Sequence, residues 1–268
     1  MKKHVIVSVR YSMYSPELRS SWTIGRDTEE SYLSNLFSLE RMERRQKYFE
    51  AITLKTLIGL QERRPRDIPF RVLILTSDKI PKPYMMFLMG IQQKFDFIQV
   101  IALSPHETSV NAGLIECVEG MGDEDIYASV RLDDDDGLAN TFIDQLEKYL
   151  QPNLSGFVVS FAKGHGVLLD DKGGIKKIAN YKWRFGSAGL SYISTKANAI
   201  ETGRYSVYQC GNHIKTDESY PTVSDARHAA FVRAFHVDND SKDKFDDCVA
   251  RVLSKEEQKN KMEVYNLL

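Results

Sequence analysis

Ile126-Tyr127-Ala128-Ser129-Val130-Arg131-Leu132-Asp133-Asp134-Asp135-Asp136-Gly137 is the stretch on which the reading of this chain turns. An apolar, strand-like run delivers four adjacent carboxylates, and a helix-like stretch (Leu138 to Leu150) follows. Crowding carboxylates costs Coulomb repulsion, which is tolerable only in open solvent or around a cation. An acidic run in solvent normally sits in polar or disordered surroundings. This one ends a buried-looking strand, at the edge where open α/β sheets bind their ligands. Carboxylates at such an edge suit Mn²⁺ or Mg²⁺ together with substrate phosphates. A solvated acidic turn is the plainer alternative.

Working outward, strand and helix patterns alternate. His4 to Val9 reads as a first strand, Phe70 to Thr76 as a second and Phe97 to Leu103 as a third. Tyr11 to Glu30 reads as a long loop. A helix is expected from Ser38, its N-cap, to about Gly59 to Gln61, with Leu39, Met42, Phe49, Ile52 and Leu57 on one stripe. Tyr84 to Lys94 and Thr108 to Met121 read as further helices. This alternation predicts an α/β fold with a mostly parallel sheet flanked by helices. After the aspartates the pattern is more irregular. Gly156 to Ala162, Gly166 to Leu169, Ile175 to Trp183 and Tyr205 to Cys210 read as strands, and the segment from Lys242 onward as helical.

Composition narrows the class. The chain has 268 residues, 42% of them hydrophobic and 27% charged, which is ordinary globular usage. A net charge of −1 argues against a general nucleic-acid or membrane-surface binder. Cys117, Cys210 and Cys248 lie far apart without metal-ligand spacing, which points to a reducing cytoplasm. No run approaches the roughly 20 apolar residues of a membrane span. A single domain over 1–268 is the simplest organisation, read in three stretches: 1–150, 151–241, and a helical tail over 242–268.

Strand–Asp-x-Asp–helix after three βα units resembles the nucleotide-sugar glycosyltransferases of the GT-A (Rossmann-like) fold. Leu39-Glu40-Arg41-Met42-Glu43-Arg44-Arg45 with Phe49-Glu50, Leu54, Leu57 and Gln61, then Arg71-Val72-Leu73, is similar to the bacterial putative rhamnosyltransferase family. Arg131 to Asp136 is similar to that family's central motif. Ala234-Phe235-His236-Val237-Asp238-Asn239-Asp240-Ser241 resembles its late His-x-x-Asn-x-Ser motif, although the aromatic residue and glycine expected around that histidine are replaced. The resemblance spans roughly residues 5–242.

The resemblance implies a transferase moving a sugar from a nucleotide-sugar donor to a saccharide or lipid-linked saccharide acceptor in bacterial surface-polysaccharide assembly, with Mn²⁺ or Mg²⁺. Carried over, Asp133 faces the ribose, Asp135 binds the metal, and Asp134 or Asp136 assists through water. Asp136 has a rival role as a helix N-cap. His236 is a further metal ligand in this reading, with Asn239 and Ser241 toward the diphosphate. His213 competes with His236 for that position, and His228 is the weaker third. Arg10 and Asp78, after the first and second strands, fall where GT-A enzymes hold the nucleotide and its base. Arg45 is a candidate phosphate contact. Gly186 and Ser187 allow close approach beside donor or acceptor, with Tyr181 and Trp183 nearby to stack on a sugar. Asp225, with Asp217 and Glu218 as alternatives, lies where the general base of an inverting enzyme falls. A nucleotidyltransferase would also use paired aspartates, but it calls for a Gly-rich loop where Arg10-Tyr11-Ser12-Met13 stands. A Ca²⁺-dependent carbohydrate-binding protein, usually antiparallel β and secreted, fits the βα alternation poorly.

Overall fold

The computed structural model describes residues 1–16, 23–26, 28–105, 110–239 and 244–268. In chain order, β1 (Lys3–Arg10) leads to α1 (Glu29–Leu36), α2 (Leu39–Tyr48), a π-helical stretch (Phe49–Leu54) and α3 (Lys55–Arg63). Then follow β2 (Phe70–Ser77), α4 (Lys82–Lys94), β3 (Ile98–Leu103), α5 (Ala112–Glu119), β4 (Ile126–Asp133), β5 (Gly137–Leu138) and α6 (Phe142–Leu146). The second half holds β6 (Val158–Phe161), β7 (Lys163–Leu169), β8 (Ile175–Lys182), β9 (Ser191–Thr195) and α7 (Lys196–Thr202). It closes with β10 (Thr222–Asp225), β11 (Phe231–Phe235), α8 (Phe245–Cys248), β12 (Arg251–Val252) and α9 (Lys255–Val264).

Among the described residues these strands form a seven-stranded sheet, in the order β10-β6-β9-β4-β1-β2-β3, and a five-stranded sheet, in the order β12-β8-β7-β11-β5. In the larger sheet only β9 runs against its neighbours, so the α/β, mostly parallel architecture expected of the sequence holds. The reason lies in the apolar alternation. Val5, Val7 and Val9 of β1 pack with Met42, Phe49, Leu57 and Leu88 on one face. Ile6, Leu73, Leu75 and Tyr127 pack with Leu114 and Val118 on the other. Both faces are covered, as parallel sheets require.

Several local expectations are corrected. Gly137 and Leu138 do not start a helix: they pair with β11, and only Phe142–Leu146 is α-helical. Gly137 is pressed against α3, where an added Cβ would lie 2.7 Å from Thr56. The Tyr205–Cys210 strand is instead a 3₁₀ turn over Val207–Cys210, closed by a Ser206–Gln209 capping box. Part of the long loop after β1 is ordered as α1, whose Thr28 side chain accepts from the Ser31 amide. The segment expected as a helical tail is woven in. Its β12 pairs with β8, and Tyr265 and Leu267 are buried with Val167, Ile178 and Val232.

Candidate active site

The cross-strand register places Arg10, the last residue of β1, opposite Asp133, the last of β4. Arg10 donates to Asp133 Oδ1 from Nη2 (2.6 Å) and Nε (3.1 Å). Arg131 stands two residues before Asp133, hence on the same sheet face, and its Nη2 lies 3.4 Å from Oδ2. The Ser187 hydroxyl completes the set around Asp133. Burial pushes the Asp133 carboxyl up, but Arg10, Arg131 and Ser187 outweigh it and hold the group far below the usual carboxylate range. The ring of Tyr208 lies under both guanidiniums, 5.4 Å from Arg10 and 5.7 Å from Arg131. Its hydroxyl donates to the Ser8 carbonyl.

Asp134 and Asp135 lie beyond the strand and meet a different arginine. The buried Arg45 of α2 is ion-paired with Asp134 and donates to Asp135 Oδ2 at 2.9 Å. His236 also reaches that oxygen through Nε2 (2.8 Å). The Asp238 amide donates to His236 Nδ1, so the proton of the neutral ring sits on Nε2 and points at Asp135. Tyr48 stacks on the imidazole at 4.0 Å, and the His236 side chain is 0% exposed. Asn239 secures this loop: its Oδ1 accepts the His236 amide and its Nδ2 donates to the Ala234 carbonyl. Arg44 clamps the loop from outside through two bonds to Asp238. Burial pushes Asp135 up, and Arg45 and His236 overcome that to hold it well below the usual range.

Asp136 faces elsewhere. Its Oδ1 accepts the Ala234 amide at 3.0 Å, and burial together with the adjacent Asp135 raises its pKa well above the ordinary value. It caps no helix.

The site therefore has an open half (Arg10, Arg131, Asp133, Ser187, Tyr208) and an enclosed half (Arg45, Asp134, Asp135, His236, Asn239). The side chains of Arg10 and Asp133 remain 21% and 25% exposed. Arg45, expected at a phosphate, is instead spent on two buried carboxylates. As arranged, the residues do not fit the expected Mn²⁺ or Mg²⁺. Asp133 and Asp135 are engaged by guanidiniums, His236 presents a proton where a metal needs a lone pair, and Asp136 accepts the Ala234 amide. Among the described residues no group of three or more His, Cys, Asp or Glu is placed to hold an ion.

The remaining expected residues divide similarly. Asp78 is exposed just past β2, at the same edge as Arg10. Gly186 is required by packing, because a Cβ there would meet the Trp183 ring at 2.5 Å. Gly189 (φ +80°) donates to the Arg131 carbonyl, which lays the Gly186–Gly189 segment beside β4. Tyr181 belongs to the core, while Trp183 is half-buried and carries Arg233 over its ring at 4.0 Å. Asp225 ends β10, three strands from β4, on the order of 14 Å at ordinary strand spacing. Arg227 bonds both of its oxygens and Tyr149 donates to Oδ2, which holds Asp225 far below its usual pKa and leaves it a weak base. Asp217, Glu218 and His228 are exposed. Ser241 lies outside the described residues.

Two contributors escaped the sequence reading. Arg131 carried a usable signal, its i−2 alternation with Asp133. Tyr208 carried none, since it arrives from a 3₁₀ turn distant in sequence.

Among solved structures, S. aureus TarS 1–349 matches at 13% identity and a TM-score of 0.45, covering 87% of this chain and 60% of that one. Its complex with UDP-GlcNAc matches at 12% and 0.45, over 90% and 60%. A 4-diphosphocytidyl-2C-methyl-D-erythritol synthase matches at 14% and 0.39, over 84% and 90%. The chain thus spans about 60% of the TarS structures it matches. No curated protein sequence matches it. Over residues 4–247 the sequence matches the family described as "Putative rhamnosyl transferase", and the chain belongs to that glycosyltransferase family.

Proposed function

We propose that this chain transfers a sugar, of the rhamnose type its family description names, from a nucleoside diphosphate donor to a saccharide or lipid-linked saccharide acceptor in bacterial surface-polysaccharide assembly. The observation that carries this reading is the Arg10–Asp133–Arg131 cluster at the carboxyl ends of β1 and β4. Two guanidiniums converge on one carboxylate there. Burial and the nearby Arg10 both press against the charge of Arg131, and its Nε is a buried donor with no partner among the described residues. A diphosphate supplies negative charge and acceptors that guanidinium forks bind well.

In this reading Asp133 fixes both guanidiniums, so they meet the charge that develops on the departing nucleoside diphosphate without reorganising. Asp78 lies where a nucleotide base is reached from the same edge. Residues 1–150 form most of the donor side, joined there by Ser187 and Tyr208 from the acceptor-side stretch 151–241 of one domain.

The test is a thermal-shift and calorimetric screen of dTDP-, UDP- and GDP-sugars, run with Mn²⁺ and again with EDTA. One nucleotide should bind, and Arg10→Gln should weaken it by about ten- to a hundredfold, the range for a lost charge-assisted bond. Because arginines already occupy the carboxylates, chelation should change affinity by less than about threefold. A tenfold loss in EDTA would instead mean that Asp133 and Asp135 exchange arginine for a cation.

A further inference from the structure

His213 begins a 3₁₀ helix (His213–Glu218) whose first turn is capped by the Asn212 side chain. Its Nδ1 lies 2.6 Å from the carbonyl oxygen of Phe185. A carbonyl can only accept, so Nδ1 carries the hydrogen and Nε2 of the neutral ring carries the lone pair. This is the opposite tautomer to that of His236. Among the described residues Nε2 makes no hydrogen bond. The ring is half-buried, with Trp183 edge-on at 5.7 Å and 89°.

The orienting carbonyl is itself held. Phe185 has φ +57°, a left-handed conformation that a bulky residue adopts only when its surroundings impose it. Its amide donates to the Ser160 hydroxyl at 3.1 Å, which sets the peptide from the other side. Two residues on, Ser187 bonds Asp133. One short turn therefore ties the imidazole to the open half of the donor site. A basic side chain whose far nitrogen is fixed by a third group is the arrangement that general-base chemistry uses.

We propose that His213 is the general base of the transfer reaction. This rests on the glycosyltransferase reading above and deepens it. In a single displacement the acceptor oxygen attacks the anomeric carbon, forming the new C–O bond. The bond to the diphosphate oxygen breaks and its electron pair leaves with the nucleoside diphosphate. The acceptor's proton passes to His213 Nε2. Burial lowers the pKa of the ring from its ordinary 6.5; the Phe185 bond raises it, Arg131 lowers it, Asp133 raises it and Arg10 lowers it. The ring is thus unprotonated at neutral pH. The rival bases are poorly placed: Asp225 is saturated by Arg227, Asp217 and Glu218 are exposed on the outer turns, and His236 is enclosed.

Two measurements test this. Nitrogen-15 NMR of the whole protein at pH 7 should show His213 as the Nδ1–H tautomer, and an Nε2–H tautomer overturns the proposal whatever the donor. With the nucleotide sugar found in the screen, His213→Gln should bind donor within about threefold of wild type. Its transfer rate should fall by about two to four orders of magnitude, and it should lose the acidic limb that wild type shows below pH 6.5. Added imidazole should restore part of the rate, and the product anomer should be opposite to the donor's. Wild-type turnover by His213→Gln, equal losses in donor affinity and rate, or a retained anomer overturns the base alone. A wild-type protein that binds no nucleotide sugar overturns the functional reading, and the base with it.

Discussion

Asp136 adjoins Asp135 in sequence yet shares none of its bonds to Arg45 and His236, and that contrast governs how each titrates. Asp136 is buried, repelled by Asp135 and only partly relieved by Arg233, so its folded pKa stands above the unfolded one. A raised acid pKa contributes stability that is full below the ordinary Asp range and is lost as pH rises through the folded value. Asp136→Asn keeps an acceptor for the Ala234 amide and cannot ionise. It should therefore gain stability over wild type as pH rises, by about 1.4 kcal/mol for each unit by which the pKa is raised. Urea unfolding at pH 5 and pH 8 checks this, and a gap that shrinks toward pH 8 contradicts it. The sequence reading gave the four aspartates different roles, but alternation along a strand does not divide them that way, since the neighbours Asp134 and Asp135 both pair with Arg45. It did not foresee which arginine each would meet, since Arg45 comes from a helix about 90 residues earlier.

At the scale of elements, α2 is bolted to the turn after β4 by Arg45, and to the loop after β11 by Arg44 and Tyr48. The helix was legible from its stripe and from Ser38, although Ser38 makes no side-chain cap bond. The π-helical stretch at Phe49–Leu54 was not legible, because a 3.6-residue stripe drifts little over one such turn. It brings Thr53 to the Asp136 carbonyl (2.8 Å) and packs Ile52, beside Thr56 of α3, under Gly137. Replacing Arg45 with Met should cost about 3–5 kcal/mol of folding stability, because two buried carboxylates lose their counter-charge. Combining it with Asp134→Asn should recover part of that loss, as a double-mutant denaturation cycle would reveal. Full additivity of the two changes would mean that the pair does not interact.

Across the whole molecule, the second sheet and the C-terminal segment depend on one another through His165 of β7. Tyr265 donates its hydroxyl to the Phe231 carbonyl (3.0 Å), so the 2.7 Å contact with His165 is donated by Nδ1–H. Burial, reinforced by Lys261 and Lys163, lowers the His165 pKa from 6.5 to about 4. A depressed pKa contributes stability that is full above 6.5 and is lost as pH falls toward 4, here about 3 kcal/mol. Unfolding free energy should fall across that window in wild type and fall less in His165→Gln; identical slopes would sink the assignment. Among the described residues no helix is long and apolar enough to cross a membrane.

What the sequence by itself determined is what local periodicity encodes. It placed β1, β2, β3 and β4, most of the helices between them, the mostly parallel sheet and the family, together with the strand end where the acidic run emerges. Each follows from residues a few positions apart. Partner choice was decided only by the tertiary structure. The pairing of Arg10 and Arg131 with Asp133, the burial of Arg45, the raised pKa of Asp136 and the opposed tautomers of His213 and His236 all depend on groups brought together from distant segments. Burial and counter-charge set a side chain's chemistry, and both are properties of the packed chain.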